Sequence, residues 1–191
     1  VIPAATKHRA STGTLDPLFT QSNNTLSNGN LSLSSSANDS AHAGSQSTTS
    51  HSAGKFYFEV TIDAAHAGAG YQNQVGMGLC DSTCHGTLPT ANNYTWGSWD
   101  SGYELFNGGV LVSAVGTFTT GDVVGVAIDI GNTITWYKNN TSIFNQSIVA
   151  LTGALFAFAW ANSASGMAKL TANFGATAFA FTPPAGFSAW G

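Results

Sequence analysis

Apolar and polar residues alternate along much of this chain with a period of two, the repeat of a strand with one buried face. The clearest run spans residues 56–62. There Phe56, Phe58, Val60 and Ile62 alternate with Tyr57, Glu59 and Thr61. Residues 75–79 form a shorter run in which Gly76 and Gly78 mark a close approach to the backbone. Residues 123–130 place Val124, Val126, Ile128 and Ile130 on one apolar stripe. Further strands are predicted over 133–138, 154–161 and 168–174. Turn chemistry separates the runs. Asn28-Gly29 is a strong hairpin signal, with Leu26 on one side and Leu31 and Leu33 on the other. Asn107-Gly108-Gly109 joins 103–106 to 110–115, and Gly121-Asp122 and Gly131-Asn132 bracket 123–130. The Ser-rich stretch 34–52 reads as loop or weak edge strand. No segment carries an apolar helical stripe with caps. The pattern predicts an all-β antiparallel sandwich or barrel with little or no helix.

Length and charge narrow the picture. The chain has 191 residues, enough for one large domain. We divide it into an N-terminal arm, residues 1–20, and a sandwich domain, residues 21–191. The arm is either a disordered terminus or docks Leu18 and Phe19 on the sandwich or a neighbour. Charged residues make up 7% of the chain, against about 25% in ordinary soluble proteins. Polarity comes from Ser, Thr, Asn and Gln instead. Such a surface suits an assembly or an extracellular setting better than a crowded cytosol. Lys7, Arg9, Lys55, Lys138 and Lys169 are the basic residues, and all but the first two are scattered. Nucleic acid is therefore not expected as a partner. No apolar run reaches the ~20 residues of a membrane span. The chain does not start with Met and shows no signal-peptide pattern, so we expect a processed product or part of a longer polypeptide.

Several segments carry a more specific signal. In order they are Gly54-Lys55-Phe56-Tyr57-Phe58-Glu59-Val60, Val75-Gly76-Met77-Gly78-Leu79, and Gly121-Asp122-Val123-Val124-Gly125-Val126-Ala127-Ile128-Asp129. Ile134-Thr135-Trp136-Tyr137-Lys138-Asn139 and Ala172-Asn173-Phe174-Gly175, then Phe179, follow. Together, across residues 54–187, they resemble a SPRY domain, the concanavalin-like jelly-roll sandwich. Asn140 stands where that family usually has Gly. Two adjacent Asn can adopt positive φ nearly as Gly does, so the departure changes little. Residues 25–33 also resemble the first strand of SPRY-like domains in phage and bacterial surface proteins. The resemblance implies a binding module with no catalytic machinery and no cofactor.

The motif search agrees. His8, His42, His51, His66 and His85 show no metalloprotease spacing, and no nucleophile elbow or phosphate-binding loop occurs. Glu59 and Glu104 are the one carboxylate pair that a shared sheet face could bring together, as glycosidases require. Cys80 and Cys84 have three readings: a small-loop disulfide, favoured outside the cell; two free thiols; or half of a zinc site lacking its other ligands. No metal site is expected. The segment 87–103 is the richest candidate for recognition. It sets Tyr94, Trp96, Trp99 and Tyr103 among Ser, Gly, Asn and Thr, the mix of rigid aromatic anchors and adaptable polar groups found in binding loops. Trp160, and at least one of Trp96 and Trp99, are expected in the core. The candidate surface comprises Tyr94, Trp99, Asp100 and Tyr103, joined by Asn162. The expected role is a virion or extracellular component, multimeric through assembly, decorating a bacteriophage particle or binding a host surface glycan or protein. The alternatives are a carbohydrate-binding module of a secreted protein and a peptide-binding SPRY adaptor.

Overall fold

The computed structural model describes residues 13–35, 44–65, 74–83, 93–99, 102–107, 110–114, 116–163 and 168–191. After a single 3-10 turn at Pro17–Phe19 come β1 (Asn24–Ser27), β2 (Ser32–Ser35), β3 (Gly44–His51), β4 (Lys55–Ala64), β5 (Gln74–Asp81), β6 (Asn93–Trp99) and β7 (Gly102–Asn107). Then follow β8 (Val110–Ala114), β9 (Val123–Asp129), β10 (Thr133–Lys138), β11 (Thr141–Ser147), β12 (Leu155–Asn162), β13 (Lys169–Asn173) and β14 (Ser188–Ala189). They form two sheets. The first runs β1-β2-β13-β4-β9-β10-β11, with β14 added in parallel to β4. The second runs β3-β12-β5-β6-β7-β8. Every other pairing is antiparallel. The architecture is the predicted all-β sandwich.

The period-two pattern fixes which side chains meet between the sheets. Phe58, Val60 and Ile62 of β4 and Val124, Val126 and Ile128 of β9 are buried on the inner face of the first sheet. Val75, Met77 and Leu79 of β5 and Leu155, Ala157 and Ala159 of β12 oppose them from the second. The indole N–H of Trp136 on β10 donates to the Met77 carbonyl at 3.2 Å, which ties the two sheets together through the core. Four tryptophans, Trp96, Trp136, Trp160 and Trp190, are fully buried. Truncating one of this kind to Ala typically costs about 3–5 kcal/mol.

The turns obey their residues. Asn28, Gly29 and Asn30 all take left-handed φ, of 53°, 63° and 64°. Asn139 and Asn140 do the same at 47° and 68°, so Asn140 substitutes for Gly without changing the turn. At the neighbouring turn the Asp122 carboxylate accepts from the Thr119 N–H at 2.7 Å and from the Asn139 side-chain amide at 2.7 Å, and it pairs with Lys138 at 3.1 Å. Burial pushes the Asp122 carboxyl upward, but these bonds outweigh it and hold the group below its ordinary value.

Three regions refine or correct the sequence reading. The edge strand offered as one reading of the Ser-rich stretch is present at residues 44–51, and it is a full eight residues long. Its polar side chains hide it from a periodicity argument, yet Ser47 is buried and bonded: its Oγ accepts from the Ala157 N–H and from the Trp190 indole N–H, each at 3.0 Å. Residues 93–99, read as part of a loop, are strand β6. In the arm, the anchor is Leu15, which is fully buried, whereas Leu18 is 87% exposed. The Leu15 N–H donates to the Asn30 carbonyl and the Asp16 N–H to the Gln46 carbonyl. Residues 13–22 therefore form a strap from the edge of one sheet to the hairpin of the other.

Candidate functional site

The recognition residues expected from the sequence do not converge on one surface. Tyr94 is a core residue of β6, only 4% exposed, and burial raises its phenol above the ordinary value. Trp96 is buried as well, its ring edge-on to Phe118 at 5.0 Å. Asn162 is not in a loop. It is the last residue of β12, fully buried, with its amide N–H directed at the Gln74 Oε1 at 3.3 Å. Both corrections have one cause: residues 93–98 of β6 and all of β12 except Phe156 are buried, so side chains on both faces of these strands are covered rather than displayed. Asp100 lies outside the described residues. Trp99 pairs with Gly102 and Ser98 with Tyr103, so Trp99 and Tyr103 flank the end of the β6–β7 hairpin. By register Trp99 belongs with Thr95 and Gly97, while Tyr103 is the partner of Ser98 and falls in the other set of positions.

Behind that hairpin the outward side of the second sheet carries its own small cluster, formed by Cys80, Phe158 and Trp160, with Phe156 packed against it. The Trp160 ring lies across Gly76 and Gly97, where a Cβ at either glycine would run into the indole. This is the close approach that the Gly-x-Gly pattern predicts. Cys80 is disulfide-bonded. Cys84, the chain's other cysteine, falls outside the described residues. Among the described residues no three His, Cys, Asp or Glu side chains are grouped as a metal site would require.

The first sheet presents the reverse case. On the outer face of β4 the Glu59 carboxylate accepts from the Ala180 N–H at 2.7 Å, the Phe181 N–H at 2.9 Å and the Tyr57 hydroxyl at 3.0 Å. Burial, reinforced by this carboxylate, raises the Tyr57 phenol far above its ordinary value. Phe179 packs edge-on against the Tyr57 ring at 5.0 Å. Glu59 thus fixes the C-terminal segment over the sheet. Glu104 belongs to β7 in the other sheet, so the two carboxylates share no sheet face.

A feature with no signature in the sequence is a cleft of about 380 Å³ between the strap and β1, reached by Pro17, Ser22, Asn24 and Leu26. Neither side-chain amide atom of Asn24 has a hydrogen-bond partner there, although the residue is only 8% exposed.

Residues 55–177 match the SPRY domain family. The chain is a SPRY domain. That family consists of binding modules for protein partners and is generally non-catalytic. Solved structures share the fold at low sequence identity. The SPRY domain of human HERC1 is 18% identical, with a TM-score of 0.64 over 83% of this chain and 96% of that one. The TRIM65 PSpry domain is 16% identical, with a TM-score of 0.63 over 86% and 92%. Stonustoxin is 19% identical, with a TM-score of 0.60 over 84% of this chain and 27% of the toxin chain. No curated protein sequence matches. Among the described residues of this SPRY domain, no helix is long and apolar enough to cross a membrane.

Proposed function

We propose that this SPRY domain is a non-enzymatic recognition or decorating component of an extracellular assembly, of the kind carried on a bacteriophage particle. It engages a host surface molecule or a neighbouring subunit. The observation that carries this reading is the disulfide at Cys80. Such bonds persist in oxidising settings and are rare in the cytosol, which favours this reading over an intracellular peptide adaptor. The low charge, 7% of residues, supports it independently. We assign recognition to the end of the β6–β7 hairpin, with Trp99 as its anchor, because binding in sandwich proteins concentrates on loops held by rigid strands.

The test is an array of surface glycans and surface proteins probed with the intact chain and its Trp99→Ala variant. Loss of at least tenfold in binding by the variant, with an unchanged denaturation midpoint, is expected. Binding that ignores the substitution would remove the hairpin from the site. Recovery of the chain from cells with Cys80 reduced would contradict an extracellular role.

A further inference from the structure

We propose that the free edge of β11 pairs with β11 of a second copy of this chain, joining the first sheets of two molecules into one antiparallel sheet about a two-fold axis. The inference uses none of the residues assigned to recognition above and stands or falls apart from them.

Among the described strands, four end a sheet: β1, β11, β3 and β8. An end strand offers its main-chain N–H and C=O groups to any strand that reaches it. Proteins guard such edges by short length, charge, proline, bulges or a cover. Two of the four are guarded. The strap lies along β3, where the Asp16 N–H donates to the Gln46 carbonyl and the Thr48 N–H to the Thr14 carbonyl. β1 has four residues, and Pro17, Thr20 and Gln21 of the strap stand beside it. The other two edges lie at the opposite ends of their sheets and close to each other: a Cβ added at Gly116, just past β8, would meet Ile143 Cγ2 at 2.8 Å. Of these, β11 is the longer. Its seven residues, Thr141–Ser147, include no charge and no proline, and no described strand pairs with its outer side.

β11 does carry a bulge. Ile143 is left without a partner between the pairs Trp136–Phe144 and Tyr137–Ser142, while the ladder is regular on either side of it. The bulge therefore interrupts the edge without closing it, and it has a second effect. Ile143 and Phe144, though consecutive, both pack against the core, and both are only half-buried. They form an apolar seam along the edge, rimmed by the exposed Thr141, Ser142, Asn145 and Ser147. An apolar centre depleted of charge inside a polar rim is the composition of a homodimer interface.

Charge selects a second copy as the occupant. Two copies carry the same net charge of −4, so they meet without repulsion only over a surface that presents none. Residues 139–168 contain no Asp, Glu, Lys, Arg or His, and neither do residues 105–121, which include β8. The nearest charge is Lys138, opposite Thr141, and Asp122 neutralises it at 3.1 Å. A strand from a different protein would require no such clearing of charge around the edge. Symmetry acts in the same direction. A two-fold axis at an edge strand sets that strand antiparallel to its own copy, the self-complementary contact of a closed dimer.

The experiment is sedimentation equilibrium of the intact chain across a hundredfold range of micromolar concentrations, and a monomer–dimer equilibrium is expected. Ser142 and Ser147 are exposed near the two ends of the edge, and antiparallel pairing brings the 142 end of one copy beside the 147 end of the other. The double variant Ser142→Lys/Ser147→Lys should dimerise at least tenfold more weakly than the parent at an unchanged urea midpoint, and Ser142→Glu/Ser147→Glu likewise. An equimolar mixture of the two should regain dimers of mixed composition, a recovery that misfolded variants could not show. In the parent, amide hydrogen exchange within residues 141–147 should slow as concentration rises. A parent that stays monomeric throughout, a Lys variant that dimerises as the parent does, a mixture that fails to associate, or slowed exchange confined to β1 or β8 would each overturn the proposal.

Discussion

Two segments close the sandwich from its sides, and they do so in opposite ways. The C-terminal segment lies on β4 with its polar groups matched. Glu59 takes two backbone N–H groups and one phenol, and the Trp190 indole N–H reaches Ser47 at 3.0 Å. The N-terminal strap is held as firmly at one point, the buried Leu15, but past that point it leaves an open cleft, an unmatched amide at Asn24 and an exposed Leu18. Burial alone therefore does not tell whether a polar group has its hydrogen bonds completed inside the chain.

The contrast can be tested by substitutions of decreasing effect. Trp190→Ala should be the most damaging, costing about 3–5 kcal/mol. The ring fills the space beside Phe56, Phe58 and His51 between the two sheets, and urea denaturation followed by far-UV circular dichroism would measure the loss. Glu59→Gln should cost about 2 kcal/mol, since an amide replaces a charged acceptor that serves three donors. A smaller cost would mean that the C-terminal segment is held by its aromatic contacts alone.

A third effect is a pH dependence located away from both closures. Asp122 is held below its ordinary pKa, so its contribution is fully present above the unfolded-chain value of about 3.9 and is lost as pH falls through the lowered folded value. Asp122→Asn should cost roughly 1 kcal/mol at neutral pH and flatten the fall in urea midpoint as pH drops below about 4. The smallest effect belongs to the open strap. Leu18→Ser should change stability by less than about 0.5 kcal/mol, although it removes an apolar side chain just as Trp190→Ala does. A large loss there would mean the strap packs more tightly than its exposure indicates.

The sheet architecture was legible because β4, β9 and β10 put apolar side chains at every second, inward position and so write that period into the sequence, whereas β5, buried on both faces, showed itself by its glycines. β3 was legible only as loop or weak edge strand, for the converse reason. Its Ser, Thr and Gln residues are held by hydrogen bonds to β12, to Trp190 and to the strap, which leave no hydrophobic repeat. β6 was misread because aromatic residues among small polar ones describe an exposed binding loop and an interior strand equally well. Tyr94 shows the ambiguity resolved toward the core, and Asn162 shows that an Asn beside a Trp can be interior too. The cleft at Asn24 left no trace in the sequence. It arises from residues 13–22 folding back across the β1–β2 hairpin, a contact between segments that no local pattern encodes.

The indole of Trp160, spread over Gly76 and Gly97, also constrains how this chain can drift over generations of substitution. At Gly76 the nearest atoms to an added methyl all belong to that indole. A smaller residue at position 160 would therefore release position 76, and the two sites should change as a pair. A Cβ added at Gly97 would meet the Val75 carbonyl oxygen at 2.9 Å as well as the ring, so this position should stay glycine whatever stands at position 160. Of the two glycines beneath one side chain, one is tied to a replaceable neighbour and the other to the chain itself.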